Sequence, residues 1–221
     1  MPTSTVENYL KTLYSQQQRY PGEPVPLGKL AEQLNLTPGS VTTMIKRLAE
    51  SKLVSYETRN GARLTDEGER LALQVLRRHR LLELFLVQVI GFDWSEVHQE
   101  AEELEHAASE KLLEKIDAML GYPEVDPHGD PIPGPTGEVA QRALTPLTES
   151  APGKVEIAQI SDHEPAFLTF LHKQGLRPGV RVEVQSRDPM ADVITLRPDQ
   201  GEALQLGMAA ARKILVAAGG Q

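Results

Sequence analysis

At 221 residues the chain exceeds one typical domain of about 150 residues, so two or three compact units are expected. No apolar run approaches the ~20 residues needed to cross a bilayer, and no basic-then-apolar secretory signal opens the sequence. The absence of cysteine excludes disulfides and thiolate metal sites together, and a cytoplasmic location is the resulting expectation.

A net charge of −8 excludes a surface that binds anions everywhere, but the charge is segregated. From Thr37 to Arg80, the basic residues Lys46, Arg47, Lys52, Arg59, Arg63, Arg70, Arg77, Arg78 and Arg80 outnumber Glu50, Glu57, Asp66, Glu67 and Glu69. The balance then inverts over Asp93, Glu96, Glu100, Glu102, Glu103, Glu105, Glu110 and Glu114. A basic module precedes an acidic one.

In chain order, Val6, Tyr9, Leu10, Leu13 and Tyr14 recur at helical spacing and predict a helix over Ser4–Arg19, ended by Pro21, Pro24 and Pro26. A short helix from Leu27 to about Leu34 and a tight turn at Asn35 and Leu36 follow. Thr37 is a good N-cap and Pro38 suits the first helical position, so a third helix reaches to about Ser51, burying Val41, Met44, Ile45 and Leu48. Leu53 to Leu64 reads as a hairpin turning at Asn60-Gly61. Thr65 caps a helix to about Ile90, Gly91 interrupts, and one further helix is predicted from about Asp93 to Leu120. From Gly121 to about Gly153 the Pro- and Gly-rich chain reads as an extended linker. Beyond it, runs at Val155–Ile160, Val180–Val184, Val193–Leu196, Ala203–Leu206 and Lys213–Val216 predict a small β-barrel, with a short helix near Pro165–Lys173.

Helix, tight turn, helix and basic hairpin fit B-DNA, because the major groove admits one α-helix and phosphates flank it. The helix opened by Thr37 and Pro38 is the reader. Ser40, Thr42 and Thr43 face base edges, Lys46 and Arg47 face phosphates, and Arg59, Asn60 and Arg63 form the wing tip. Small helical domains with solvated basic faces and winged helices that bind proteins are the plainer alternatives.

His79 and Glu83 stand one turn apart on one helix and can pinch one ion. On the next, His98, Glu102, Glu105 and His106 fall within an arc of about 100 degrees. Each residue alone has an ordinary surface reading. Their convergence points to a divalent cation, since clustered carboxylates without one repel. Two other functions use the same features: a dinuclear metallohydrolase, and a winged-helix regulator answering to a small organic ligand.

Arg78-His79-Arg80-Leu81, Val97-His98-Gln99-Glu100-Ala101, Glu105-His106 and the run from Asp126 through His128-Gly129-Asp130 to Gly134 resemble the diphtheria-toxin-repressor family of metal-dependent regulators, closest to its manganese-sensing branch. The resemblance implies a mainly α protein with a small β domain. Its parts would be a winged helix-turn-helix DNA-binding domain (1–65), a helical dimerisation and metal-binding domain (66–135), a linker (136–153) and a C-terminal SH3-like, FeoA-like β-barrel (154–221). It further implies a homodimeric repressor, not an enzyme, that binds palindromic operator DNA when loaded with Mn(II) or alternatively Fe(II) at two sites per subunit.

Glu102, Glu105 and His106 match the primary site, completed from the first helix at Asn8. His79, Glu83 and His98 match the ancillary site, to which the linker or barrel contributes in some relatives. Asp126, His128, Asp162, His163 and Glu164 are candidates, and His163 and Glu164 are singled out as third-domain ligands. The sequence departs from the family at Glu102, where iron-responsive members offer sulfur, and a hard carboxylate suits manganese. It departs again at Asn8, an uncharged oxygen donor where a carboxylate or thioether is common, and at Lys11, where some manganese sensors carry an acid. One ion held by Asn8 and the acidic helix would set the separation of two reading helices, about 34 Å for one turn of DNA. Leu81, Leu82, Phe85, Val89 and Ile90 are candidate core or dimer residues.

Overall fold

The computed structural model describes residues 3–218, so the outermost residues of the first and last predicted domains lie outside it. The chain divides into two compact units. One comprises the residues up to His79 with Pro133–Glu138; the other comprises Arg80–Ile132 with the residues from Val139 onward.

In the first unit, helix α1 spans Ser4–Arg19, capped by Thr3, whose hydroxyl accepts from the Val6 amide. Helices α2 (Leu27–Gln33) and α3 (Pro38–Glu50) follow, with Thr37 capping α3 and Pro38 in its first turn as predicted. Leu10, Leu13, Leu30, Val41 and Ile45 are fully buried in the core these helices share. Strands β1 (Val54–Glu57) and β2 (Gly61–Leu64) pair antiparallel, Val54 opposite Leu64 and Glu57 opposite Gly61.

The wing therefore turns through Thr58-Arg59-Asn60, a correction to the predicted turn at Asn60-Gly61. Gly61 belongs to the strand, where a β-carbon would stand 2.6 Å from the Val25 carbonyl oxygen. Ala62 and Val25 exchange both backbone hydrogen bonds at that point, which pulls the strand in and moves the turn back. Helix α4 (Asp66–Phe85) starts on the Thr65 hydroxyl, which accepts from the Gly68 amide, and runs through the division between the units.

The second unit begins inside α4, which continues as a π-helical segment Leu86–Ile90 and ends at Gly91 in the left-handed region. The single helix predicted from Asp93 to Leu120 is two: α5 (Val97–Leu104) and α6 (Glu110–Met119). The break spans residues 105–109, and Ser109 restarts the helix by accepting from the Leu112 amide. Leu81, Leu82, Leu84, Val97, Ala101, Leu113 and Ile116 form the core of this region.

The segment after Gly121 is not a bare linker. Val125 bridges Pro131, and Asp126, His128 and Asp130 are buried. The remainder is a six-stranded antiparallel sheet, spatial order β3-β8-β4-β5-β6-β7, built from β3 (Thr145–Pro146), β4 (Gly153–Ile160), β5 (Arg181–Asp188), β6 (Val193–Pro198), β7 (Leu204–Gly207) and β8 (Ile214–Ala218). Helices α7 (Pro165–Lys173) and α8 (Met208–Ala211) cover it, Leu168 and Leu171 of α7 entering its core. The β domain is of the predicted kind, with the short β3 as an element the sequence did not disclose.

Candidate metal centre and DNA-reading face

Glu83 lies near the C-terminal end of α4, with only 1% of its surface exposed. Its two oxygens diverge. Oε1 is 3.0 Å from His98 Nδ1, at the start of α5, and Oε2 is 3.8 Å from His128 Nδ1. His98 Nε2 lies 3.6 Å from Glu102 Oε1 one turn on. Glu105 is fully buried just beyond α5, and its carboxylate is 3.4 Å from His106 Nε2. His79, also buried, stands one turn before Glu83 on the same helix. Glu83 and His98, expected at one site, are thus neighbours, as are Glu105 and His106, expected at the other, while Glu102 stands beside His98; the helix carrying them is broken after Leu104.

The Asp126–Asp130 loop enters the same neighbourhood. Glu83, Asp126 and His128 each offer a ligand atom within 4.8 Å of the others, and all three are buried. Asp126 Oδ1 accepts from the amides of His128 and Asp130, closing the loop as an Asx turn. Gly129 has φ +85°, and a β-carbon there would lie 2.0 Å from the Ala158 carbonyl oxygen on β4. The Ile160 amide donates to the His128 carbonyl, so the β-sheet holds the loop by its backbone. Burial, the Asp130 carboxylate and the Glu83 carboxylate push Asp126 up to about 7, against the pull of His128 and Arg80. Such a set of buried oxygens beside imidazole nitrogens, with no sulfur, fits a divalent cation of hard to borderline character, which would replace the mutual repulsion by attraction.

His163 and Glu164 part company. The His163 ring lies 4.6 Å from that of His128, and its Nε2 donates towards Asp130 Oδ2 at 2.9 Å and the Ile160 carbonyl. Burial opposes its protonation, but the Asp130 carboxylate and its neighbours raise it to about 9. The arrangement pairs the His163 ring with the Asp130 carboxylate and sets it beside the His128 ring. Glu164 is exposed at the start of α7, where its amide donates a hydrogen bond to Asp162 Oδ1, and it joins none of the close donor groups among the described residues. The sequence names Asp126 and His128 as candidates but singles out His163 and Glu164. Its available signal was the Asp-Pro-His-Gly-Asp run, whose Gly permits the close approach to β4.

On the reading helix, Thr37, Pro38, Ser40, Thr43, Lys46 and Arg47 are exposed and Thr42 is half-buried. The hydroxyls of Thr42 and Thr43 donate to the carbonyls of Pro38 and Gly39, at 2.8 and 3.0 Å. Their methyl groups and the acceptor lone pairs of the hydroxyls are what remain for an outside partner. Arg59 and Asn60 are exposed at the wing, Arg63 is half-buried, and Asn60 donates to Glu57 at 2.9 Å.

A winged helix, a helical region with buried carboxylates and imidazoles, and a small β domain define the class of metal-dependent DNA-binding regulators. Residues 1–62 match the N-terminal DNA-binding domain of the iron-dependent repressors, 65–134 their metal-binding and dimerisation domain, and 145–218 a FeoA domain. The iron-dependent repressor IdeR of Mycobacterium leprae is 32% identical over 207 residues, 88% of this chain and 89% of that protein. The diphtheria toxin repressor of Corynebacterium diphtheriae is 32% identical over 195 residues, covering 83% and 85%. A manganese-dependent transcriptional repressor solved in complex with manganese superposes with a TM-score of 0.85 at 39% identity, covering 96% of this chain and 98% of that one. The chain belongs to the diphtheria-toxin-repressor family of iron-dependent repressors.

Proposed function

We propose that the protein is a transcriptional repressor that binds palindromic operator DNA as a homodimer when it carries Mn(II) or Fe(II). The observation that carries this reading is the buried group Glu83, Asp126 and His128, standing in a chain whose N-terminal unit has a reading helix and a basic wing. We assign one metal to Glu83, Asp126 and His128 with His98 beside them, and His79 joins it from one turn earlier on α4. We assign a second to Glu102, Glu105 and His106. Asn8 is proposed as an oxygen donor to that second metal, and its Oδ1 is buried without a hydrogen-bond partner among the described residues. Bound metal supplies a fixed positive charge, and the chain's own residues orient and desolvate it. Manganese is favoured over iron by the oxygen-rich donors and the absence of sulfur. The exposed Val89, Ile90 and Phe92 mark the dimer face.

Titration of the metal-free protein with Mn(II), Fe(II) and Zn(II), followed at each step by operator binding and by elemental analysis, tests the reading. Operator affinity is expected to rise with bound Mn(II) or Fe(II). Operator binding indifferent to all three ions would refute it.

A further inference from the structure

Between the π-helical end of α4 and α5, the turn Asp93-Trp94-Ser95 sends the only tryptophan of the chain into the core of the β domain, where it is 6% exposed. Four hydrogen bonds fix this turn. The Asp93 carboxylate accepts from the Ser95 amide at 2.8 Å and from the Ser95 hydroxyl at 2.6 Å. The Trp94 indole N–H donates to His172 Nδ1, in the last turn of α7, at 2.8 Å. The two rings stack with centroids 6.3 Å apart. The backbone carbonyl of Trp94 meets His128 Nε2 at 2.9 Å, in a place where His128 is fully buried.

A carbonyl oxygen only accepts, so His128 Nε2 carries hydrogen whatever the charge of the ring. Nδ1 is then the nitrogen that can offer a lone pair, and it is the one that faces Glu83 Oε2 at 3.8 Å. We infer that Trp94, clamped by His172, is a positioning residue for the metal centre: its carbonyl fixes the tautomer of His128 so that Nδ1 is the ligating atom, and the β domain thereby sets metal affinity without itself donating that ligand. The inference rests on the proposed role of His128 as a ligand. It goes further in naming the atom and the device that selects it. Hydrogen bonds to the far nitrogen of a ligating imidazole fix ring orientation and tautomer in metal sites generally.

Nitrogen-15 spectra of the metal-free protein, with His128 assigned by comparison with a His128→Gln variant, read the tautomer directly and do not depend on metal. At a pH high enough to hold the ring neutral, a His128 ring with Nε2 protonated and Nδ1 bare is expected. The reverse assignment overturns the inference. Manganese affinity, followed by calorimetry and by Trp94 fluorescence, gives the second readout. His172→Leu keeps bulk but removes the acceptor, and should weaken manganese about 3- to 10-fold, at the lower edge of outer-shell effects because it acts through one intermediate residue. His172→Asn places an amide oxygen near the former Nδ1 and should restore most of the loss, which lost packing alone would not allow. Loss in His128→Gln with no change in His172→Leu overturns the inference and spares the assigned site. Parental affinity in both variants overturns the assigned site and the inference with it.

Discussion

Gly129 sits where a single methyl group meets backbone from two directions. Its φ of +85° disfavours any L side chain, and the added carbon would meet the Ala158 carbonyl at 2.0 Å and the Gln159 α-carbon at 2.8 Å. Neither neighbour is a side-chain end that can swing away. Gly129→Ala should therefore cost at least about 2 kcal/mol, from backbone strain and overpacking together. Chemical denaturation measures this, and a change below roughly 0.5 kcal/mol, the range of an ordinary surface substitution, would contradict it. Glu105→Ala addresses the other end of the cluster. A buried carboxylate assigned to metal contributes chiefly through the ion, so circular dichroism should be unchanged while manganese-stimulated operator binding is lost in gel-shift titration. Retained manganese dependence would remove Glu105 from the site. The pair also shows what was legible at this scale. Glu105 and His106 announced themselves by helical spacing from His98, whereas Asp126 and His128 lie in an aperiodic Pro/Gly run that spacing cannot place, and were candidates by resemblance alone until their burial beside Glu83 set them apart.

The elements of the first unit were readable because each start signal is local. Thr37 and Pro38 place α3 by capping, and the predicted and observed bounds of α1 coincide. The errors arose where a distant partner decides. Asn60-Gly61 has the composition of a two-residue turn, but the pairing of Ala62 with Val25 draws Gly61 into β2. The break between α5 and α6 includes Ala107 and Ala108, strong helix formers, and holds no Gly or Pro, so propensity does not announce it. Ser109 alone, as a cap, hinted at the restart of α6. The structure also separates residues that spacing left together: Leu81 and Leu82 are buried, while Val89 and Ile90 are 49% and 56% exposed. Ile90→Glu should then spare the fold and shift the protein towards monomer in sedimentation or light scattering; an unchanged mass would place the dimer face elsewhere. On α3, Lys46→Ala should weaken operators of all sequences alike and reduce the slope of log affinity against log salt by about 0.9, the release of one phosphate counterion. A loss confined to one operator variant would instead make Lys46 a base reader.

For the molecule as a whole, metal binding and folding are linked. A ligand that binds only the folded state stabilises it by about 2.7 kcal/mol when present at a hundred times its dissociation constant. In a chain of 150–250 residues each kcal/mol moves the melting midpoint by about 2–4 °C. The second unit holds Glu83, Asp126 and His128, and it also holds Trp94, the only tryptophan. Tryptophan fluorescence therefore reports the unfolding of the unit that carries these ligands, apart from the tyrosine signal of the N-terminal helices. Saturating Mn(II) should raise the Trp94-detected midpoint by roughly 5–10 °C, and a chelator should return it to the metal-free value. Glu83→Gln, which keeps the volume and loses the charge, should abolish most of the rise. Its metal-free midpoint should change little, because the relief of repulsion on Asp126 offsets the weakened pairing of Glu83 with His98 and His128. A Glu83→Gln protein that melts well below its parent without metal, yet gains as much from manganese, would mean that Glu83 serves the fold rather than the ion.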